Sequence, residues 1–120
     1  MNELVVIDDD ELTLDLIARR LRGSPVRVKC FRDSELAIKY LTDHSGVVLL
    51  VDYNMPGQNG LEVLRKLACA MDFDFTRAYL CSAAELPDAI GAEARSLGVA
   101  IQSKDLYRNR DQLVELATTG

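Results

Sequence analysis

Apolar residues along the chain alternate between two periodicities, short runs and helical stripes. Leu4 to Ile7 is a β-branched run too short for a helix, ending in Asp8-Asp9-Asp10, as expected of a buried parallel strand. From Leu12, the residues Leu14, Leu16, Ile17 and Leu21 recur at helical spacing until Gly23-Ser24-Pro25 stops them. Val26, Val28 and Cys30 alternate with Arg27 and Lys29, which predicts a half-exposed strand. Ser34 then stands where it can cap a helix carrying Leu36, Ala37, Tyr40 and Leu41.

The pattern continues with Val47 to Val51, a third buried strand with Asp52 at its carboxyl end. A turn over Pro56 to Gly60, with Gly57 and Gly60 permitting positive φ, leads into a helix marked by Leu61, Val63, Leu64 and Leu67. Ala78 to Cys81 is a fourth strand, and Pro87 suits the first turn of a helix carrying Ala89, Ile90, Ala94 and Leu97 to Gly98. Val99 to Gln102 is a fifth strand, and a last helix spans about Arg110 to Ala117. This strict alternation predicts an α/β fold: a doubly wound parallel five-stranded sheet, strand order 2-1-3-4-5, with helices on both faces.

Composition narrows the class. At 120 residues and 13.3 kDa, the chain suits one domain over residues 1–120. Net charge −5 and pI near 4.8 argue against direct nucleic-acid contact. The basic stretch Arg19, Arg20, Arg22, Arg27, Lys29 and Arg32 is expected to be a solvated face. No apolar run approaches a membrane span, so a cytoplasmic protein without membrane insertion is expected. Cys30, Cys69 and Cys81 are widely spaced, with His44 the lone histidine, which disfavours structural zinc and a disulfide framework. Cys81 is expected to be a small buried hydrophobe rather than a redox sensor, and His44 to lie on an exposed loop.

Charge placement supplies the chemistry. In sheets of this order ligands bind beyond the carboxyl ends of the strands, between the first and third, where Asp8, Asp9 and Asp52 converge. Gathered carboxylates repel one another and raise their own pKa values unless a cation sits among them. A hard divalent ion is therefore implied, and Mg2+ fits best because it takes few carboxylates, keeps several waters and completes its shell with phosphate oxygens. The backbone carbonyl of Asn54 is a further candidate ligand. Ser82 after strand four and Lys104 after strand five bring a hydroxyl and an ammonium to the same edge, where both can bind phosphate oxygens. With such donors present, Asp52 can act as a nucleophile toward phosphorus. Asp10 is expected to cap the first helix.

The segments "VVIDDD", "LLVDYNMPGQNG", "LCSA" and "SK" resemble the receiver domain of two-component response regulators, of the chemotaxis-receiver type, from Leu4 to about Ala117. The resemblance implies a flavodoxin-like (βα)5 fold and a phosphorelay switch that is not an enzyme in its own right. It also implies Asp52 as the phospho-accepting residue, Asp9 as a direct Mg2+ ligand, Asp8 acting mainly through metal-bound water, and Asn54 as a carbonyl ligand. Ser82 and Lys104 would hold the phosphoryl group. The phosphodonor would be a histidine kinase or histidine phosphotransfer protein, and the output a downstream protein or a fused effector domain outside this chain. Two positions depart from the family: Ile101 stands where an aromatic is usual, and Asp105 where a proline is usual. Activation is therefore expected to remodel the loop after strand four and the 105–107 segment.

Two other readings compete. The "VVIDDDEL" stretch approximates the acid-x-acid motif of haloacid dehalogenase-type phosphatases, but such an enzyme would want a further acidic pair after the lysine. Ile101 and Asp105 motivate the other, a phosphorylation-independent interaction module.

Overall fold

The structure, a computed structural model, describes the backbone of residues 2–119 and the side chains of residues 2–118. Strands β1 (Asn2–Ile7), β2 (Val26–Phe31), β3 (Val48–Asp52), β4 (Ala78–Ser82) and β5 (Ala100–Ser103) pair in parallel in the order β2-β1-β3-β4-β5. Helices α1 (Glu11–Arg20), α2 (Ser34–Asp43), α3 (Gly60–Ala70), α4 (Asp88–Ser96) and α5 (Arg110–Thr119) follow the strands in turn. The predicted doubly wound order is the one observed.

Strand side chains alternate between two cores because successive Cβ atoms point to opposite faces. Val5, Ile7, Leu49 and Val51 pack with Ala37 and Leu41 of α2, Leu61, Leu64 and Leu67 of α3, and Ala94 of α4. Leu4, Val6, Val48 and Leu50 pack on the other face with Leu14 and Ile17 of α1 and Leu113 and Ala117 of α5. Both faces of β1 and β3 are thus covered, which is why their sequences read as unbroken apolar runs.

Local chemistry sets where the helices begin. Asp10 caps α1, as expected, accepting from the Leu12 N–H at 3.1 Å and the Thr13 hydroxyl at 2.8 Å. The cap of α2 is Asp33 rather than Ser34, because a carboxylate one residue earlier reaches the Glu35 and Leu36 N–H groups. Leu36 consequently faces outward, 57% exposed, while Ala37 and Leu41, one turn apart, carry the buried stripe. A capping box starts α3: Asn59 accepts from the Glu62 N–H at 2.9 Å, and Glu62 accepts from the Asn59 N–H at 3.1 Å.

Other differences are shifts of a residue. β3 ends on Asp52 itself, and β5 starts at Ala100 because Val99 turns into the core ahead of a mostly exposed edge strand. Two 3-10 helices, Phe75–Arg77 and Lys104–Arg108, go beyond the predicted elements.

Of the two turn glycines, only Gly57 has positive φ, at 81°. Gly60 is required for a different reason. Its N–H donates to the Tyr53 carbonyl at 2.9 Å, so the start of α3 lies against the end of β3. An added Cβ would overlap the Asp52 carbonyl oxygen and lie 2.8 Å from Leu80 Cδ1. Gly60→Ala should therefore lower stability by about 1–3 kcal/mol through overpacking. Urea unfolding would show this as a lower midpoint at unchanged slope; an unchanged midpoint would mean that α3 does not close on Asp52 as described.

Candidate functional site

Strand register brings the acids together. Ile7 of β1 pairs with Val51 of β3, so the next residues, Asp8 and Asp52, leave the sheet side by side. Alternation continues Leu4 and Val6 into Asp8, and Val48 and Leu50 into Asp52, on the α1 and α5 face of the sheet. Asp8 is fully buried, Asp52 is 3% exposed and Asp9 is half-buried. One carboxylate oxygen from each lies within 4.8 Å of the others.

Few partners serve these acids. Asp8 Oδ1 accepts from the Asp10 N–H at 2.9 Å, and Asp52 Oδ1 accepts from the Asn54 N–H at 3.3 Å. The Asp9 carbonyl accepts from Arg32 Nε at 3.2 Å. Lys104, which immediately follows β5, places Nζ 3.0 Å from Asp8 Oδ2 and 3.5 Å from Asp52 Oδ1. Asp8 Oδ2 has no hydrogen bond of ordinary geometry, so its contact with Lys104 is an ion pair first.

Burial, and then the neighbouring Asp8 charge, push the Asp52 carboxyl up to about 6, with Lys104 opposing them. Burial works against the Lys104 ammonium, but Asp8 and then Asp52 outweigh it, and its pKa is raised. The lysine is thus a fixed cation, yet it alone leaves three carboxylates incompletely neutralised. Their donors are all hard oxygens, the set Mg2+ takes, and beyond the Lys104 ion pair Asp8 Oδ2 has no hydrogen-bond donor to offset its charge.

The remaining predicted site residues are nearby but less engaged. Ser82 ends β4, paired with Ser103 of β5, and its hydroxyl donates to the Ala84 carbonyl at 2.6 Å and accepts from the Ala84 N–H at 3.2 Å. Asn54 meets Asp52 through its amide rather than its carbonyl. Ile101 is 38% exposed and lines a groove of about 350 Å³ with Ser82, Ala84, Gly91 and Arg95. Cys81 is buried, its thiol pushed up to about 12 by that burial, so it is a core residue rather than a reactive thiol. His44 is exposed at the end of α2 and stacks on Tyr40 at 3.9 Å.

One neighbour of the site, Tyr107, is expected from the sequence only as the end of the 105–107 segment that activation remodels, with no contact to the acids or to Lys104. Tyr107 is 2% exposed, and the Lys104 ammonium lies 5.6 Å from its ring centroid. Its spacing of three from the lysine becomes informative only once that segment is known to be 3-10, where residues i and i+3 share a face.

The chain matches known proteins in sequence and in fold. The family model described as "Response regulator receiver domain" matches residues 4–102. The sensory/regulatory protein RpfC of Xanthomonas campestris is 28% identical over 120 residues, covering 97% of this chain and 16% of RpfC. The response regulator protein TmoT of Ectopseudomonas mendocina is 32% identical over 65 residues, 54% of this chain and 30% of TmoT. The chain therefore spans less than a third of the length of these relatives. Among solved structures, the signal receiver domain of NarL from Mycobacterium tuberculosis is 27% identical with a TM-score of 0.70, covering 95% of this chain and 90% of that one. Chemotaxis protein CheY4 of Vibrio cholerae shares the fold at 18% identity and a TM-score of 0.78, covering 96% and 94%.

Electrostatics at Asp52 make a testable prediction for the metal-free protein. Its folded pKa of about 6 lies above the unfolded value, so its contribution to stability is fully present below about pH 4 and is lost as pH rises through about 6. With chelator present, Asp52→Asn should therefore stabilise the protein by on the order of 1–2 kcal/mol at about pH 8 and have little effect at about pH 4. Urea midpoints at the two pH values check this; an equal effect at both would show that Asp52 is not strained by its ionisation.

Proposed function

Because the chain belongs to the response regulator receiver domain family, a signalling module rather than a catalytic enzyme, we propose that residues 1–120 form one receiver domain in which Asp52 accepts a phosphoryl group. The observation that carries this reading is the convergence of Asp8, Asp9, Asp52 and Lys104 at the carboxyl ends of β1, β3 and β5. Family membership implies a histidine kinase or histidine phosphotransfer protein as phosphodonor.

In the transfer, an Asp52 carboxylate oxygen forms the new bond to phosphorus as the donor's P–N bond breaks and the departing imidazole takes a proton. Asp52 is buried at a strand end, so its attack direction is fixed by the sheet rather than by a flexible loop. Lys104, 3.5 Å from Asp52 Oδ1, is placed to pair with a phosphoryl oxygen once one is attached. Ser82 can donate to another oxygen only by releasing the Ala84 carbonyl, so phosphorylation pulls on the loop after β4.

Mg2+ held by Asp8, Asp9, Asp52 and the Asn54 carbonyl would offset charge on the transferring group. Two structures of this fold hold such cations: the receiver domain of the histidine kinase CKI1 from Arabidopsis thaliana is complexed with Mg2+ and BeF3−, and Rcp1 is Mn2+-bound. The acid cluster supports extending that property to this chain.

The loop after β4 and the exposed groove beside Ile101 support an output surface read by a downstream protein, or by an effector domain outside this chain. A cytoplasmic setting fits the free cysteines. Among the described residues no helix is long and apolar enough to cross a membrane.

Incubation with Mg2+ and acetyl phosphate, followed by intact mass measurement, should give a single phosphoryl adduct that requires Mg2+ and disappears in Asp52→Asn. No adduct in the wild type would favour the phosphorylation-independent module. A phosphoryl mimic should also shift amide NMR signals in residues 83–87 and 105–107; equal spectra with and without it would contradict the proposed switch segments.

A further inference from the structure

Lysine is a demanding residue to use as a fixed contact. Its four-carbon stem is rich in rotamers, and two carboxylates at unequal distances do not define one position for the ammonium. Lys104 nevertheless spans both Asp8 and Asp52. The segment it opens is a 3-10 helix, Lys104–Arg108, started by Ser103, whose hydroxyl accepts from the Asp105 N–H at 3.1 Å. At three residues per turn, Tyr107 returns to the face that Lys104 occupies.

Tyr107 is buried in the core layer formed with α1 and α5, together with Cys81, whose strand position pairs with Asp52. The Lys104 ammonium lies 5.6 Å from the tyrosine ring centroid, within cation–π range. The tyrosine hydroxyl lies beside the Cys81 thiol and makes no hydrogen bond of ordinary geometry. A buried hydroxyl without a partner is costly, so what this position supplies is the aromatic ring.

We propose that Tyr107 is a positioning residue: its ring is the seat that holds the Lys104 ammonium between Asp8 and Asp52, and so sets the rate at which Asp52 accepts a phosphoryl group. The inference rests on the reading of Asp52 as the acceptor. Tyr107 itself touches no reacting atom. Its ring acts by keeping Lys104 on the acids rather than in solvent, and the 3-10 turn makes seat and cation one rigid unit.

The test has two independent arms. If the Tyr107 ring seats the lysine, Lys104 Cε protons in the unphosphorylated wild type should resonate upfield of ordinary lysine values, since the ammonium they adjoin lies 5.6 Å from the ring centroid. That shift should persist in Tyr107→Phe and vanish in Tyr107→Leu. With Mg2+ and acetyl phosphate, adduct formation should slow about 5- to 10-fold in Tyr107→Leu and stay within about twofold of wild type in Tyr107→Phe. Ordinary Lys104 shifts in the wild type would overturn the seat, whether or not the leucine variant folds. A folded Tyr107→Leu protein with wild-type rate would overturn its role in transfer. A wild type that shows the upfield shift but takes no phosphoryl group would instead remove the Asp52 reading, and with it the effect on rate.

Discussion

Two carboxylates held side by side at the end of a buried parallel sheet repel each other, and the rest of the site answers that repulsion. Asp8 and Asp52 cannot relax apart, because each continues a strand whose neighbours are locked by the Ile7 to Val51 register and by apolar packing on both faces. Nor can water relieve them, since one is fully buried and the other nearly so. What remains is positive charge: Lys104 between them, and a donor set of three acids that would suit a hard cation. A phosphoryl group on Asp52, as proposed, would add further negative charge at the same place and would call for donors from flanking loops.

The fold explains how such an arrangement persists. Its hydrophobic layers confine the cost of gathered charge to one edge, where the strands end and helices begin. Gly60 lets α3 close directly on the Asp52 carbonyl, and the Asn59 and Glu62 capping box fixes where that helix starts. Asp10 caps α1 immediately after the acids, so Asp8 and Asp9 occupy a short rigid connection. The loop after β4 is tied differently, the Ser82 hydroxyl being bonded to Ala84 of its own turn rather than to the acids.

Most of this was legible in the sequence because its strongest signals are periodic. Unbroken apolar runs ending in acid marked β1 and β3, and helical stripes marked the connecting elements, so strand order and the meeting of Asp8, Asp9 and Asp52 followed. Lys104 was recognisable only from its position after a strand, since a lone lysine carries no pattern of its own. The cap at Asp33, the outward Leu36 and the start of β5 were missed because neighbouring residues with similar propensity competed and tertiary packing decided between them. The Asn59-x-x-Glu62 capping box was readable but overshadowed by the glycines around it. Tyr107 was hidden for another reason: its relation to Lys104 exists only in a 3-10 turn, which no apolar period announces.

Everything proposed for the site turns on the carboxylate of Asp52 carrying the phosphoryl group. Borohydride reduces an acyl phosphate, and not an ordinary carboxylate, so treating the phosphorylated protein and mapping its peptides reads the acceptor directly. Homoserine at position 52, formed only after exposure to Mg2+ and phosphodonor, is the expected product. Reduction at Asp8 or Asp9 instead, or none in protein that carries the adduct mass, would contradict it.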